Sequence, residues 1–145
     1  MSKSEYFLNT EEEQEVINAI QIAEKNTSGE IRVHIEQGSE TNAFERAKEV
    51  FHLLKMDNTK LQNGVLIYVA INNKSFAICG DKGINDVVSP DFWTSTKNII
   101  QSHFKQGQFK QGLIEGILKT GEQLQKYFPW QKDDTNELSD NISTS

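Results

Sequence analysis

Six oxygen-bearing side chains in the middle of this 145-residue chain are of the types that bind hard divalent cations. They are Glu30, Asp57, Asn63, Asp81, Asp86 and Asp91. Carboxylate and amide oxygens are the ligands that Ca²⁺ and Mg²⁺ prefer, and a bound cation also relieves the repulsion among neighbouring carboxylates. If the fold brings these residues together, we expect a Ca²⁺ or Mg²⁺ site, with no organic cofactor.

A predicted hairpin determines which of these residues can meet. The apolar run Val65–Ile71 indicates a central strand that is covered on both faces. Asn72-Asn73 predicts a two-residue turn, because asparagine tolerates the positive φ that such turns need, and Ser75–Cys79 then returns antiparallel. The register of this hairpin pairs Gly64 with Asp81, so the start of one strand lies beside the end of the other.

A further strand is predicted at Glu30–Glu36, where apolar and polar residues alternate with the period of a half-buried strand. Its connection to the hairpin runs through a helix, which makes the two strands parallel with a right-handed crossover. Glu30 should therefore lie at the same edge of the sheet as Asn63 and Asp81. The sequence thus places all six candidates at one edge.

A second interpretation of the acidic residues stays open. Asp91 would lie in the first turn of a helix, Asp57 at a helix end and Asp86 in a turn, where each stabilises local structure without a ligand. The predicted edge also contains the amino ends of the parallel strands, whereas ligands of α/β sheets usually bind at the carboxyl ends.

Other chemistries lack the residues that they need. The single cysteine, Cys79, excludes an internal disulfide, and a Cys-x5-Arg loop would need arginine where Asn85 stands. Gly80–Gly83 belongs to no phosphate-cradling glycine motif and predicts a tight turn. The three histidines lack zinc-site spacing, and no Gly-x-Ser-x-Gly motif occurs. Any catalysis would have to be metal-assisted.

Helical periodicity predicts the elements that position these residues. Thr10 and Glu13 form an apparent capping box for the first helix, and Gly107 ends the third. The helices are predicted at about Glu11–Lys25, at Ala43–Met56, from Ser89-Pro90 onward, and at Phe109–Tyr127. With three strands, they predict an α/β fold, a three-layer α/β/α sandwich around a small mixed sheet.

Composition limits the class of protein. The net charge of −6, with 15 basic and 21 acidic residues, argues against a nucleic-acid surface. The chain has neither the apolar run of a signal peptide nor a membrane-spanning stretch, so we expect a cytoplasmic monomer without membrane insertion. The domain is predicted at residues 1–129, followed by an acidic, disordered tail at 130–145.

Three sequence blocks occur in a characteristic order. They are Thr27-Ser-Gly-Glu-Ile-Arg-Val-His-Ile-Glu36, then Asn63-Gly-Val-Leu-Ile-Tyr-Val-Ala with Gly80-Asp-Lys-Gly-Ile84, and finally Phe104-x-x-Gly107-x-Phe109-x-x-Gly112-Leu113-x-x-Gly116-Ile117. Together they resemble the TPM domain family of thylakoid lumen and photosystem II repair proteins. The resemblance is to a soluble, single-domain bacterial branch.

The resemblance implies an α/β/α sandwich, a divalent-cation site at the acidic end, and the acid phosphatase activity reported for plant members. Asn63 and Gly64 match the family's Asn-Gly, Asp91 matches an aspartate after the segment at Gly83–Asn85, and Glu30 matches the start of the first strand. Many relatives have aspartate where this chain has Gln62. Bacterial relatives are often encoded near LemA-type membrane proteins, which suggests such a protein as partner.

Three hypotheses about function follow from the sequence. The first is a divalent-cation-binding TPM domain, non-catalytic or weakly catalytic, that acts through a protein partner in repair or stress response. The second is a metal-dependent acid phosphatase in which Asp81 or Asp91 holds the metal or positions water. The third is a purely structural interaction module, with Phe92 and Trp93 as its binding patch.

Overall fold

The computed structural model describes residues 7–130 and 138–144. Within them, four strands form one sheet in the order β3-β2-β1-β4. β1 and β2 are parallel, β3 is antiparallel to β2, and β4 is parallel to β1. The strands are β1 (Glu30–Glu36), β2 (Gly64–Ala70), β3 (Ser75–Gly80) and β4 (Ser143–Thr144).

Helices cover both faces of this sheet. They are α1 (Thr10–Glu24), α2 (Ala43–Leu53), α3 (Lys82–Asn85), α4 (Thr94–Lys105) and α5 (Phe109–Gln125), with a 3₁₀ turn at Met56–Asn58. α1, α4 and α5 pack on one face, and α2 packs on the other. The predicted α/β/α sandwich is confirmed. None of the helices in the described part of the chain combines the length and apolar character of a membrane span.

β2 is the central strand that its apolar sequence predicted. Every residue of β2 is buried, with Val65 and Ile67 facing the larger core and Leu66 and Tyr68 facing the core under α2. β1 was predicted to be half-buried, but its polar face is also covered, by α2. Glu36 is only 4% exposed, since α2 supplies a charged partner that satisfies its carboxylate.

The hairpin has the predicted register and a different turn. Val65 pairs with Gly80, and the Asp81 N–H donates to the Gly64 carbonyl at 2.9 Å. Lys74 N–H closes the turn on the Ile71 carbonyl at 3.2 Å. The positive φ falls on Lys74, at 50°, and not on an asparagine. The register is nevertheless unchanged, because the pattern of buried residues on both strands determines it.

Two helix starts differ from those predicted. Asn9, not Thr10, caps α1, and its capping box uses Glu12. α4 begins at Thr94 and not at Ser89-Pro90. The Ser89 hydroxyl donates to the Asp91 carboxylate at 2.5 Å. Ser89 and Asp91 thus form a turn before the helix.

The end of the chain differs from the predicted disordered tail wherever it is described. Residues 138–144, here called the C-terminal strap, lie against the sheet, and Ser143–Thr144 extend it as β4. Leu138 packs against the core under α2, and Ile142 packs against the larger core. The rest of the tail, residues 131–137, lies outside the described residues. Two apolar side chains are enough to anchor the strap on both faces.

Candidate functional site

Asp81 ends β3 and begins α3, a short helix that the sequence predicted only as a tight turn. Its Oδ1 accepts the Lys82 N–H at 2.7 Å and so caps the helix. Its Oδ2 is buried and, among the described residues, has no hydrogen-bond partner. Burial raises the pKa of Asp81, and the charge of Asp57 raises it further, against the lowering effect of the Lys82 N–H. Among the residues that the structure describes, no positive side chain forms an ion pair with this carboxylate.

Asp57 reaches the same place from a different part of the chain. It lies in the 3₁₀ turn that follows α2, where Lys55 adopts a left-handed conformation with φ 57° and redirects the backbone. Its Oδ2 lies 3.0 Å from His52 Nδ1. The charge of Asp57 acts on Asp81 across 24 residues of sequence, so two of the six predicted ligands lie near enough to interact electrostatically.

Backbone oxygens line the same region. The carbonyl oxygens of Leu61 and Gln62 lie against Gly83, so close that a Cβ on Gly83 would be 2.5 Å from each. Gln62 has a φ of 51°, which turns the chain here. Backbone carbonyls are common Ca²⁺ ligands. The sequence offered only one sign of this arrangement, the glycine in the Asp81-Lys82-Gly83 segment.

The remaining predicted ligands have other contacts. Glu30 Oε1 accepts the Leu138 N–H at 2.7 Å, beneath the C-terminal strap. The Asn63 amide lies 3.4 Å from the Ser28 hydroxyl. The last two have side-chain contacts of their own: Asp86 forms an exposed ion pair with Lys82 at 2.7 Å, and Asp91 accepts from Ser89.

The ligand set within the described residues is smaller than the sequence predicted. No group of three or more histidine, cysteine, aspartate or glutamate side chains is arranged there to hold a metal ion. The fit to a cation therefore rests on two carboxylates, with backbone carbonyl oxygens and water to complete the coordination.

A second polar cluster, which the sequence did not predict, lies under α2. Glu36 accepts hydrogen bonds from Arg46 Nε at 2.9 Å and Arg46 Nη2 at 3.1 Å, and from the Tyr68 hydroxyl. His34 Nε2 lies 3.1 Å from the same carboxylate. Burial raises the pKa of Tyr68 and lowers that of His34. The only sequence signal was the polar alternation of β1, which suggested exposure to solvent.

Gly83→Ala tests the close packing beside Asp81. We expect it to lower the free energy of unfolding by about 2 kcal/mol, because the new methyl group meets two backbone oxygens that cannot rotate away. Gly38→Ala is the matched control, since its Cβ would approach only the tip of the Asn73 side chain, at 2.3 Å. Chemical denaturation of both variants measures the difference. Equal losses would show that the packing at Gly83 is not rigid.

Comparison with known proteins defines the class of this domain. A sequence model of the TPM domain family matches residues 1–123. The chain belongs to the TPM domain family. No curated protein sequence matches it significantly.

Among solved structures, the chain is similar to the BA42 protein from the psychrophilic bacterium Bizionia argentinensis. The sequences are 65% identical, the match covers 96% of each chain, and the TM-score is 0.91. The N-terminal domain of a P. gingivalis protein shares the fold, with 16% identity, coverage of 84% of this chain and 79% of the other, and a TM-score of 0.69. The N-terminal domain of cg2496 from Corynebacterium glutamicum does too, at 8% identity, 91% and 81% coverage, and a TM-score of 0.63.

Proposed function

We propose that this TPM domain binds a divalent cation between Asp57 and Asp81 and acts through a protein partner, without catalysis or with only weak catalysis. The observation that carries the proposal is the buried Asp81 Oδ2, which has no hydrogen-bond partner among the described residues. A cation at this position would supply the missing partner and neutralise the repulsion from Asp57. A site whose ligands are all oxygen atoms suits Ca²⁺ or Mg²⁺.

Exposed apolar side chains beside these carboxylates support the proposal that a protein partner binds here. Leu61, 46% exposed, precedes β2, and Val87, 51% exposed, follows α3. Both segments border Asp81, since the Leu61 carbonyl touches Gly83. A bound cation would neutralise the carboxylates beside these two exposed apolar side chains. A protein surface with apolar side chains fits that arrangement.

Asp81→Asn tests the cation site. Asparagine still caps α3, so the fold is retained. Because the pKa of Asp81 is raised, its ionised form costs stability as pH rises above the unfolded pKa. We therefore expect the variant to unfold at a higher temperature than the parent at pH 7 without cation, with the difference vanishing in acid. Added Ca²⁺ should stabilise the parent only.

An amide NMR titration with CaCl₂ and with MgCl₂ locates the ion. We expect shifts in residues 56–64 and 80–86 of the parent and none in Asp81→Asn. Asp86→Asn is the control, because it removes an equal charge from the same edge at a carboxylate already paired with Lys82. Shifts that persist in Asp81→Asn, or no shifts at millimolar cation, would contradict the proposal.

A phosphatase assay on the parent, Asp81→Asn and Asp91→Asn proteins distinguishes a binding domain from a metal-dependent phosphatase. Hydrolysis of a generic phosphomonoester with Ca²⁺ or Mg²⁺ is expected to stay near background. Activity that chelation abolishes, and that Asp81→Asn or Asp91→Asn removes, would favour the enzyme. Asp91 is the discriminating residue, because it lies in a different segment, the turn before α4, where its carboxylate accepts from Ser89.

A further inference from the structure

The outer edge of β1 is only partly covered by the end of the chain. β4 pairs with His34 and Ile35, two of the seven residues of β1. Just before β4 the strap bends at Asn141, whose N–H donates to the Ser139 hydroxyl at 3.1 Å. The strap therefore pairs with β1 only near the carboxyl end of that strand.

Arg32 lies on the part of β1 that β4 does not reach, and it has a donor without an acceptor. Its Nε is buried and has no hydrogen-bond partner among the described residues. Arg32 also belongs to none of the ion pairs in that part of the chain. Arginine side chains are rarely buried unless they are paired. An acceptor from another molecule would satisfy this donor.

The register of β4 shows which strap position corresponds to Arg32. His34 pairs with Ser143 in the parallel direction, so position 141 would lie opposite Arg32 if the pairing continued. Paired side chains share one face of a sheet, as Ser143 Oγ and His34 Nδ1 do at 3.0 Å. Asn141 is instead exposed in the bend. The strap thus offers Arg32 neither a paired residue nor a negative charge.

We propose that the outer edge of β1 is a strand-addition site for an extended segment of a protein partner, which displaces the strap and places one carboxylate on Arg32. Such a segment would run parallel to β1 and continue the pairing past the point where β4 ends. Its carboxylate would accept from the guanidinium in the bidentate geometry that arginine favours. The strap is then an internal competitor that fits the edge in shape and lacks the charge.

Neighbouring carboxylates restrict the position of that acid. Glu24 Oε2 accepts the Ile31 N–H at 2.9 Å, and Glu30 Oε1 accepts the Leu138 N–H at 2.7 Å. Both lie beside the residues that precede Arg32, so an acid at an earlier position of the incoming segment would meet like charge. The favoured segment therefore has its acid opposite Arg32 and a hydroxyl residue two positions later, beside His34. The proposal does not depend on a cation at Asp81.

Peptide binding to the full chain tests the proposal. Leu138→Ser/Ile142→Ser removes the two apolar anchors of the strap and opens the edge. The probe is a synthetic peptide of residues 138–145 with the change Asn141→Asp, and the unchanged peptide is its reference. We expect the probe to bind the opened chain about tenfold more tightly than the reference, the gain from one charged hydrogen-bonded pair. Amide NMR should show shifts along β1 and at Arg32 Hε, and the parent chain should bind the probe more weakly.

Matched changes separate strand addition from general charge effects. A peptide with Ser139→Asp has the same charge as the probe, and it should show no gain because this position faces Glu30. Arg32→Gln in the opened chain should remove the difference between probe and reference, and Arg32→Lys should retain part of it.

Several results would overturn the proposal. They are equal affinities of probe and reference, a difference that persists in Arg32→Gln, an equal gain for the Ser139→Asp peptide, and probe binding to the parent as tight as to the opened chain. Inorganic phosphate is the last comparison. If phosphate alone shifts Arg32 Hε as far as the probe does, and the probe shifts no other β1 amide, Arg32 is a simple anion site and strand addition is wrong.

Discussion

Glu36→Gln is expected to lower the free energy of unfolding by about 3 kcal/mol, since removing one member of a buried ion pair leaves the other charge uncompensated. The side chain of Glu36 is 5% exposed and that of Arg46 is 24% exposed. The Glu36 carboxylate accepts hydrogen bonds from Arg46 and Tyr68. A glutamine amide has one oxygen acceptor, and its two N–H groups would face other donors instead of acceptors. Equilibrium denaturation in urea measures the loss.

Glu49→Gln is the control for this prediction. Glu49 also faces Arg46, at 3.9 Å, but its side chain is 55% exposed. Exposed ion pairs contribute about 0–1 kcal/mol. We therefore expect a small change at Glu49, and a comparable loss at both positions would show that the burial of Glu36 is not the cause.

The pKa of Tyr68, raised by burial first and by Glu36 next, should fall in Glu36→Gln.

Gly121→Ala is expected to destabilise the domain by about 2 kcal/mol, despite the better helix propensity of alanine. Gly121 lies where α5 crosses α1. A Cβ there would be 2.7 Å from the Ala23 Cβ and 3.1 Å from the Ala23 Cα. The Ala23 backbone cannot rotate away, so the two helices must separate. Thermal unfolding followed by circular dichroism measures the loss.

Ala23→Gly in the same chain supplies the rescue. It removes the nearer of the two contacts, so the double variant should be more stable than the sum of the single changes predicts, by about 1 kcal/mol. Strict additivity would mean that α1 and α5 adjust without strain. The other glycines of α5 face α4, where a Cβ on Gly116 would be 2.6 Å from both Cγ1 and Cδ1 of Ile100. A milder loss is expected there, because these are side-chain atoms and not backbone.

Three of the four strands, β1, β2 and β3, could be predicted from sequence to within one residue, whereas β4 was not predicted. The apolar run of β2 and the alternation of β1 reflect the burial of successive side chains on opposite faces of a strand. The register of the hairpin agrees with the prediction although its turn differs, because the pattern of buried residues on both strands determines it. The parallel order of β1 and β2 followed from the helix between them.

The candidate site could be predicted only in part. Asp81 lies at the sheet edge where the hairpin register predicted it. Register gives the position of a residue along a strand, but it does not give the direction of side chains that lie past the end of a strand. Glu30 and Asn63 begin neighbouring strands, yet Glu30 contacts the strap and Asn63 contacts Ser28. Asp57 lies in a 3₁₀ turn that follows a left-handed residue, Lys55, which no composition rule indicates, and its charge acts on Asp81.

The sequence by itself determined the fold class, the family and the central hairpin, because these depend on periodicity and on interactions between residues close along the chain. The tertiary structure alone decided which carboxylates meet and where the last residues lie. Those contacts join distant segments, such as β1 with the strap through Glu30 and Leu138. Their stability depends on burial and on neighbouring charges, quantities that exist only after the chain has folded.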